Sequence, residues 1–83
     1  MPLYMDVHEK LPAGTTAADV AGAHEQDVKV GRERGVEYRS YWLDEANGTI
    51  FCLVEAPDAE AAVAVHRDAH GLVADRILPV VEG

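Results

Sequence analysis

A single cysteine, Cys52, leaves the chain without an intrachain disulfide and without the four thiolates that an iron–sulfur cluster requires. Basic side chains are also few: seven Lys and Arg stand against fifteen Asp and Glu, for a formal net charge of −8. With no Lys/Arg cluster to neutralise phosphates, nucleic acid and anionic membrane surfaces are poor partners and cations are good ones. No apolar run approaches the roughly 20 residues of a membrane-spanning helix. Met1 to Glu9 carries an acid at its sixth residue and has no basic region followed by a long apolar stretch. No signal peptide is therefore expected, and the expected location is cytoplasmic. Gly-rich phosphate loops, Walker motifs and nucleophile elbows are absent too, so nothing points to phosphoryl transfer or serine hydrolysis.

What is present is the composition of a small packed protein. The 83 residues are 48% apolar with ordinary glycine and proline content, which predicts one globular domain over residues 1–83. A domain of this size buries only about 60% of its unfolded surface, so a second subunit covering an apolar face is the natural supplement. A homo-oligomer is the expectation.

Apolar and polar residues alternate over residues 3–9, the period of a half-buried strand. Leu3, Met5 and Val7 take one side and Tyr4, Asp6 and His8 the other, so His8 is expected to point away from the main core. Pro12 and Gly14 break this strand, and Thr15-Thr16 with Asp19 is a helix-start signal. Ala17, Val20, Ala21, His24, Val28 and Gly31 follow at helical spacing, up to Gly35. Val36 to Leu43 and Thr49 to Glu55 read as two strands, joined by a tight hairpin in which Asn47-Gly48 supplies positive φ values. Pro57-Asp58 opens a second helix with Asp58 as N-cap and Gly71 as its stop. Ile77 to Val81 closes the chain as a strand whose Pro79 suits a sheet edge.

The order βαββαβ predicts an α+β, ferredoxin-like sandwich, an antiparallel sheet with two helices on one face. Topology then gathers residues that are far apart in sequence. The first strand ends, the first helix begins and the second helix ends at the same end of the molecule. His8, His24, His66 and His70 are all drawn there, whereas Glu55 falls at the opposite end. His66 and His70, one helical turn apart, offer two imidazoles from one helix face, the simplest bidentate arrangement for a divalent transition metal. Taken singly, each histidine is more simply a polar side chain satisfied by backbone or water. As a group under an acidic net charge, His66, His70, His24 and His8, with Asp27, Glu25 and waters completing an octahedral shell, form a candidate metal site of nitrogen and oxygen donors; His8, on the strand face expected to point away from the helices, either shares that site or serves a separate one, across a dimer for example. Cys52, inside a strand, reads as a small buried hydrophobe. Tyr38, Tyr41 and Trp42 suit core or dimer packing as well as a ligand cleft.

The stretches Ala23-His24-Glu25-Gln26-Asp27-Val28, Tyr41-Trp42-Leu43-Asp44-Glu45, Phe51-Cys52-Leu53-Val54-Glu55-Ala56-Pro57 and His66-Arg67-Asp68-Ala69-His70-Gly71 through Asp75 resemble a family of small nickel-responsive proteins otherwise labelled as a domain of unknown function. The resemblance runs over nearly the whole chain. It implies a ferredoxin-like homodimer that binds nickel at its surface and serves nickel sequestration, homeostasis or tolerance. Many relatives lack the second histidine of the helical pair; having both His66 and His70 places this chain with the nickel-binding subset. Occurrence of the domain fused to signalling proteins leaves a sensory role open.

The leading expectation is therefore a non-enzymatic cytoplasmic protein that binds Ni2+, other divalent transition metals being alternatives. Its rival is an enzyme of the monooxygenase or isomerase kind, in which two open sheets pair into a barrel and Tyr4, Asp6, His8 and Tyr38 or Tyr41 line the cleft. A small-molecule-binding module on the open sheet face is the third reading.

Overall fold

The helix termini follow from their capping residues. Thr16 and Asp19 form a capping box, each side chain accepting from the other's backbone N–H, and launch α1 (Ala17–Glu33). Asp58 accepts from Ala61 N–H at 2.8 Å and launches α2 (Ala59–Ala69), which ends before Gly71 at φ +81°. Around them lie β1 (Leu3–His8), β2 (Glu37–Asp44), β3 (Thr49–Glu55) and β4 (Arg76–Val80). The computed structural model describes residues 1–83. No helix is long and apolar enough to cross a membrane.

The strands make one antiparallel sheet in the order β2-β3-β1-β4. Val20 of α1 and Ala62 and Val65 of α2 share one core with Tyr38, Ile50, Cys52 and Val54, so both helices cover the same sheet face. This is the expected ferredoxin-like α+β fold. Pro79 lies in β4, the edge strand of the sheet, the position where a strand proline is tolerated. The hairpin differs from expectation in detail. Only Gly48 has positive φ (+65°), and the connection is a four-residue turn in which Asp44 accepts from Asn47.

β1 is turned over relative to its expected orientation. Asp6 pairs with Cys52 and His8 with Ile50, and the side chains of these pairs face the helices, so His8 is buried among them. Leu3 and Met5 lie instead on the open face with Leu53, Phe51, Trp42 and Leu78. Alternation identifies two sides of a strand but cannot say which meets the helices when both sheet faces are apolar. A second local irregularity matters for the site. β2 is bulged between Tyr38 and Ser40, which brings Tyr38 and Tyr41, three apart in sequence, to the same helix-facing side.

Two helical glycines make opposite predictions. At Gly31, whose carbonyl accepts from Val36 N–H, an added Cβ would meet the Val36 carbonyl oxygen at 2.5 Å. At Gly22 it would meet nothing within 4 Å. In chemical unfolding, Gly22→Ala is expected to stabilise by about 0.5–1 kcal/mol through helix propensity. Gly31→Ala is expected to destabilise by about 1–3 kcal/mol through overpacking. Equal effects at the two positions would contradict the close approach of α1 to Val36.

Candidate metal centre

One ring organises the end of the domain where β1 and α2 finish. His66, on the inner face of α2 and 1% exposed, points its two nitrogens at two acids from different elements. Nδ1 lies 2.8 Å from Asp27 Oδ1 on α1, and Nε2 lies 2.5 Å from Asp6 Oδ2 on β1. Asp27 accepts in turn from His70, whose Nε2 is 2.9 Å from Oδ1. Leu72 N–H donates to His70 Nδ1 at 3.1 Å, which fixes the neutral His70 ring with its proton on Nε2. The Tyr38 hydroxyl sits between Asp6 Oδ2 (3.1 Å) and the Ala62 carbonyl (3.0 Å). His8 Nε2 is 3.4 Å from His66 Nε2, and the rings meet edge-on.

These contacts set the protonation. Burial alone would depress the His66 imidazolium, but hydrogen bonds to Asp27, Asp6 and Cys52 and the charge of Asp27 outweigh it and push its pKa up to about 11. Burial would raise Asp27, yet the hydrogen bonds from His66 and His70 hold it below the usual carboxylate range. His8 is lowered, first by burial and then by the charge on His66. Burial, reinforced by the Asp6 charge, raises the Tyr38 phenol, and burial raises the Cys52 thiol against an opposing hydrogen bond with His66. The result is a cationic His66 between two acids, with a neutral His8 beside it.

The expected residues are only partly assembled. His8, His66, His70 and Asp27 come together, and His24 borders the same cavity of about 30 Å³, its ring 4.7 Å from Tyr41 and its Nδ1 without a partner. Glu25 does not join them: one residue along α1 from His24, it turns outward and is exposed beside Gln26 and Lys29. Asp6, Tyr38 and Cys52 are the additions. Asp6 shares a strand face with His8 by simple alternation, so it was findable once His8 was placed; the bulge that delivers Tyr38 leaves no such mark.

Asp27, His66 and His70 present ligand atoms within 4.8 Å of one another, as do His8, Cys52 and His66. In the first set, two of the three donor separations suit a divalent ion of octahedral habit. Donors at about 2.0–2.1 Å from such an ion and at right angles are roughly 3 Å apart. The two Asp27–histidine separations of 2.8 and 2.9 Å already have that spacing.

Fold and cluster together define a ferredoxin-like α+β protein with a buried histidine–carboxylate centre at one end. Residues 4–80 match the family described as nickel responsive protein SCO4226-like, and the chain belongs to that family. It is similar to SCO4226 from Streptomyces coelicolor A3(2), known from a crystal structure: 40% identity, 98% coverage of both chains and a TM-score of 0.87. No curated protein matches the chain.

The opposed shifts predict a stability optimum in metal-free protein. His66, raised, contributes fully below its ordinary 6.5, and that contribution drains away as pH climbs towards about 11. His8, lowered, contributes fully above 6.5 and loses its share as acid forces a proton onto it; Asp27 follows below 3.8. Melting temperature, measured with chelator present, should therefore peak near pH 6.5. His8→Asn should flatten the limb just below the peak and leave the alkaline limb sloping. A wild-type curve without an alkaline slope between pH 7 and 10 would remove the charged His66.

Proposed function

We propose that this protein binds nickel through Asp27, His66 and His70, with water filling the remaining octahedral positions, and serves cytoplasmic nickel sequestration, homeostasis or tolerance. The observation that carries this reading is the Asp27 carboxylate shared by two imidazoles at spacings an octahedral ion needs. Imidazole and carboxylate donors suit nickel and its neighbours in the divalent series. The family description, nickel responsive, points the same way. An organic substrate is a poorer fit, because the cavity at the cluster, about 30 Å³, is far smaller than substrate pockets, which run to about 300–1,000 Å³.

Metal binding here is an exchange. His66 must release the proton on Nδ1. His70 must move its proton from Nε2 to Nδ1, so the Leu72 amide has to turn away from the ring. That amide lies just beyond α2 and is exposed, so the adjustment is local. His8 and His24, bordering the cavity, shape access to the ion.

Equilibrium dialysis with nickel tests the assignment. Removing a ligand should weaken binding by more than the roughly 10–100-fold that loss of an outer-shell partner costs. Asp27→Asn and the double variant His66→Ala/His70→Ala are expected to show that loss, and Glu25→Gln is expected to bind as the wild type does. Unchanged binding in Asp27→Asn would sink this ligand set. In the wild type, nickel should shift the Leu72 amide resonance.

The open sheet face supports a homodimer as the working form. Trp42 is 52% exposed, Leu78 42% and Phe51 36%, side by side with Leu3, Met5 and Leu53 across the strands. A contiguous apolar face of this kind is what a partner subunit covers. Sedimentation should report a dimer for the wild type and a monomer for Trp42→Glu; a monomeric wild type at micromolar concentration would rule the dimer out.

A further inference from the structure

Nickel at Asp27, His66 and His70 leaves the opposite edge of the His66 ring unused. That edge meets donors of a different kind. His8, Cys52 and His66 are all buried, and their ligand atoms lie within 4.8 Å of one another. Asp6, 1% exposed, stands opposite Cys52 in the β1–β3 pairing. Its Oδ2 is occupied by His66 and Tyr38, but its Oδ1 is buried without any partner. An unpartnered carboxylate oxygen at this depth is costly unless a cation meets it.

We propose that Cys52, His8 and His66 Nε2 form a second, inner metal site for a thiophilic ion of tetrahedral habit, such as zinc or cobalt(II), with the Asp6 carboxylate as a neighbouring counter-charge. The spacing separates the two sites. Two nitrogens at about 2.0–2.1 Å from a tetrahedral ion are roughly 3.3 Å apart. His8 Nε2 and His66 Nε2 are 3.4 Å apart. Donor type separates them as well, since the inner set holds the chain's one thiol and the outer set holds none.

On binding, the metal–sulfur bond forms as the Sγ–H proton leaves for solvent, a coordinated thiol being deprotonated by the ion itself. The proton on His66 Nε2 leaves likewise, and Asp6, released from that hydrogen bond, stays beside the ion as its counter-charge. Cys52 and His8 also line the small cavity that borders His24 and His70, which gives the ion a path from the outer site. Because the two sites use opposite nitrogens of one ring, they are coupled through His66. This inference rests on the metal-binding reading of this end of the domain, but it stands or falls on sulfur alone.

The test is titration of the full, metal-free chain with cobalt(II) under anaerobic conditions. The wild type should develop a near-ultraviolet sulfur-to-cobalt charge-transfer band. Cys52→Ser should lose that band completely and His70→Ala should keep it. Absence of the band in the wild type, or its persistence in Cys52→Ser, overturns the inner site. X-ray absorption at the zinc edge of the wild type needs no variant and covers the case in which Cys52→Ser fails to fold. A sulfur scatterer near 2.3 Å is expected, and a shell of nitrogen and oxygen only overturns the proposal. Nickel binding that depends on Asp27 with no sulfur signal would leave the outer site standing and remove the inner one. A sulfur signal with Asp27-independent nickel binding would do the reverse.

Discussion

A charged imidazole held between two buried acids, Asp6 and Asp27, is the interaction on which the architecture of this domain depends. A buried charge is tolerated only when it is paired and hydrogen-bonded, and removing one partner of such a pair typically costs about 3–5 kcal/mol. His66 meets that requirement by drawing one acid from β1 and one from α1. Three departures from simple patterning follow from it. The polar side of β1 turns inward, a charged residue sits buried on α1, and a bulge in β2 sets the Tyr38 hydroxyl beside Asp6. Each would be unfavourable alone; together they satisfy one another.

Much of the fold was legible in the sequence because its determinants are local. The capping residues Thr16, Asp19 and Asp58, the stop at Gly71 and the alternation in β1 act within a few residues of themselves. Their order left few topologies to consider, and the antiparallel ferredoxin-like sheet was the natural one. The hairpin was mistaken in type because Asn47-Gly48 is also a good end to a longer turn, and the Asp44 carboxylate stabilises that alternative. The site was legible to the extent that topology fixes it. Placing four histidines at one end required only strand direction. Turning His8 towards or away from the helices required knowing that Asp6 had a cation to meet, a fact that belongs to α2 and lies 60 residues further along the chain.

The same orientation of β1 explains why the sheet has two apolar faces. With Tyr4, Asp6 and His8 committed to the helices, Leu3 and Met5 fall on the open side, next to Phe51, Leu53 and Trp42. The helix-facing core is small, because polar residues occupy part of its volume: Asp6, His8, Asp27 and His66 are all buried there. A domain of this length is close to the limit at which one core sustains a fold. Polar groups in the interior and apolar groups outside are thus two consequences of one choice of strand face, and an interface on the open side would return stability that the buried centre withholds.

Protons already occupy the positions that the proposed metal ion would take, and this sets the terms on which one could bind. In the metal-free state His66 and His70 donate to Asp27, and His66 and Tyr38 face Asp6, so the centre is nearly closed on itself. Such a network holds the fold without metal, unlike small zinc domains that unfold when stripped. An ion bound as proposed would replace protons within an existing frame, and its affinity would be the difference between two satisfied arrangements. Selectivity then rests on which ion matches donor spacings that the fold has fixed in advance. The part least held by that frame is the turn at Gly71 and Leu72, where a single amide bonds to His70. Change on metal exchange should concentrate there, at the surface, while the sheet and both helices stay as they are.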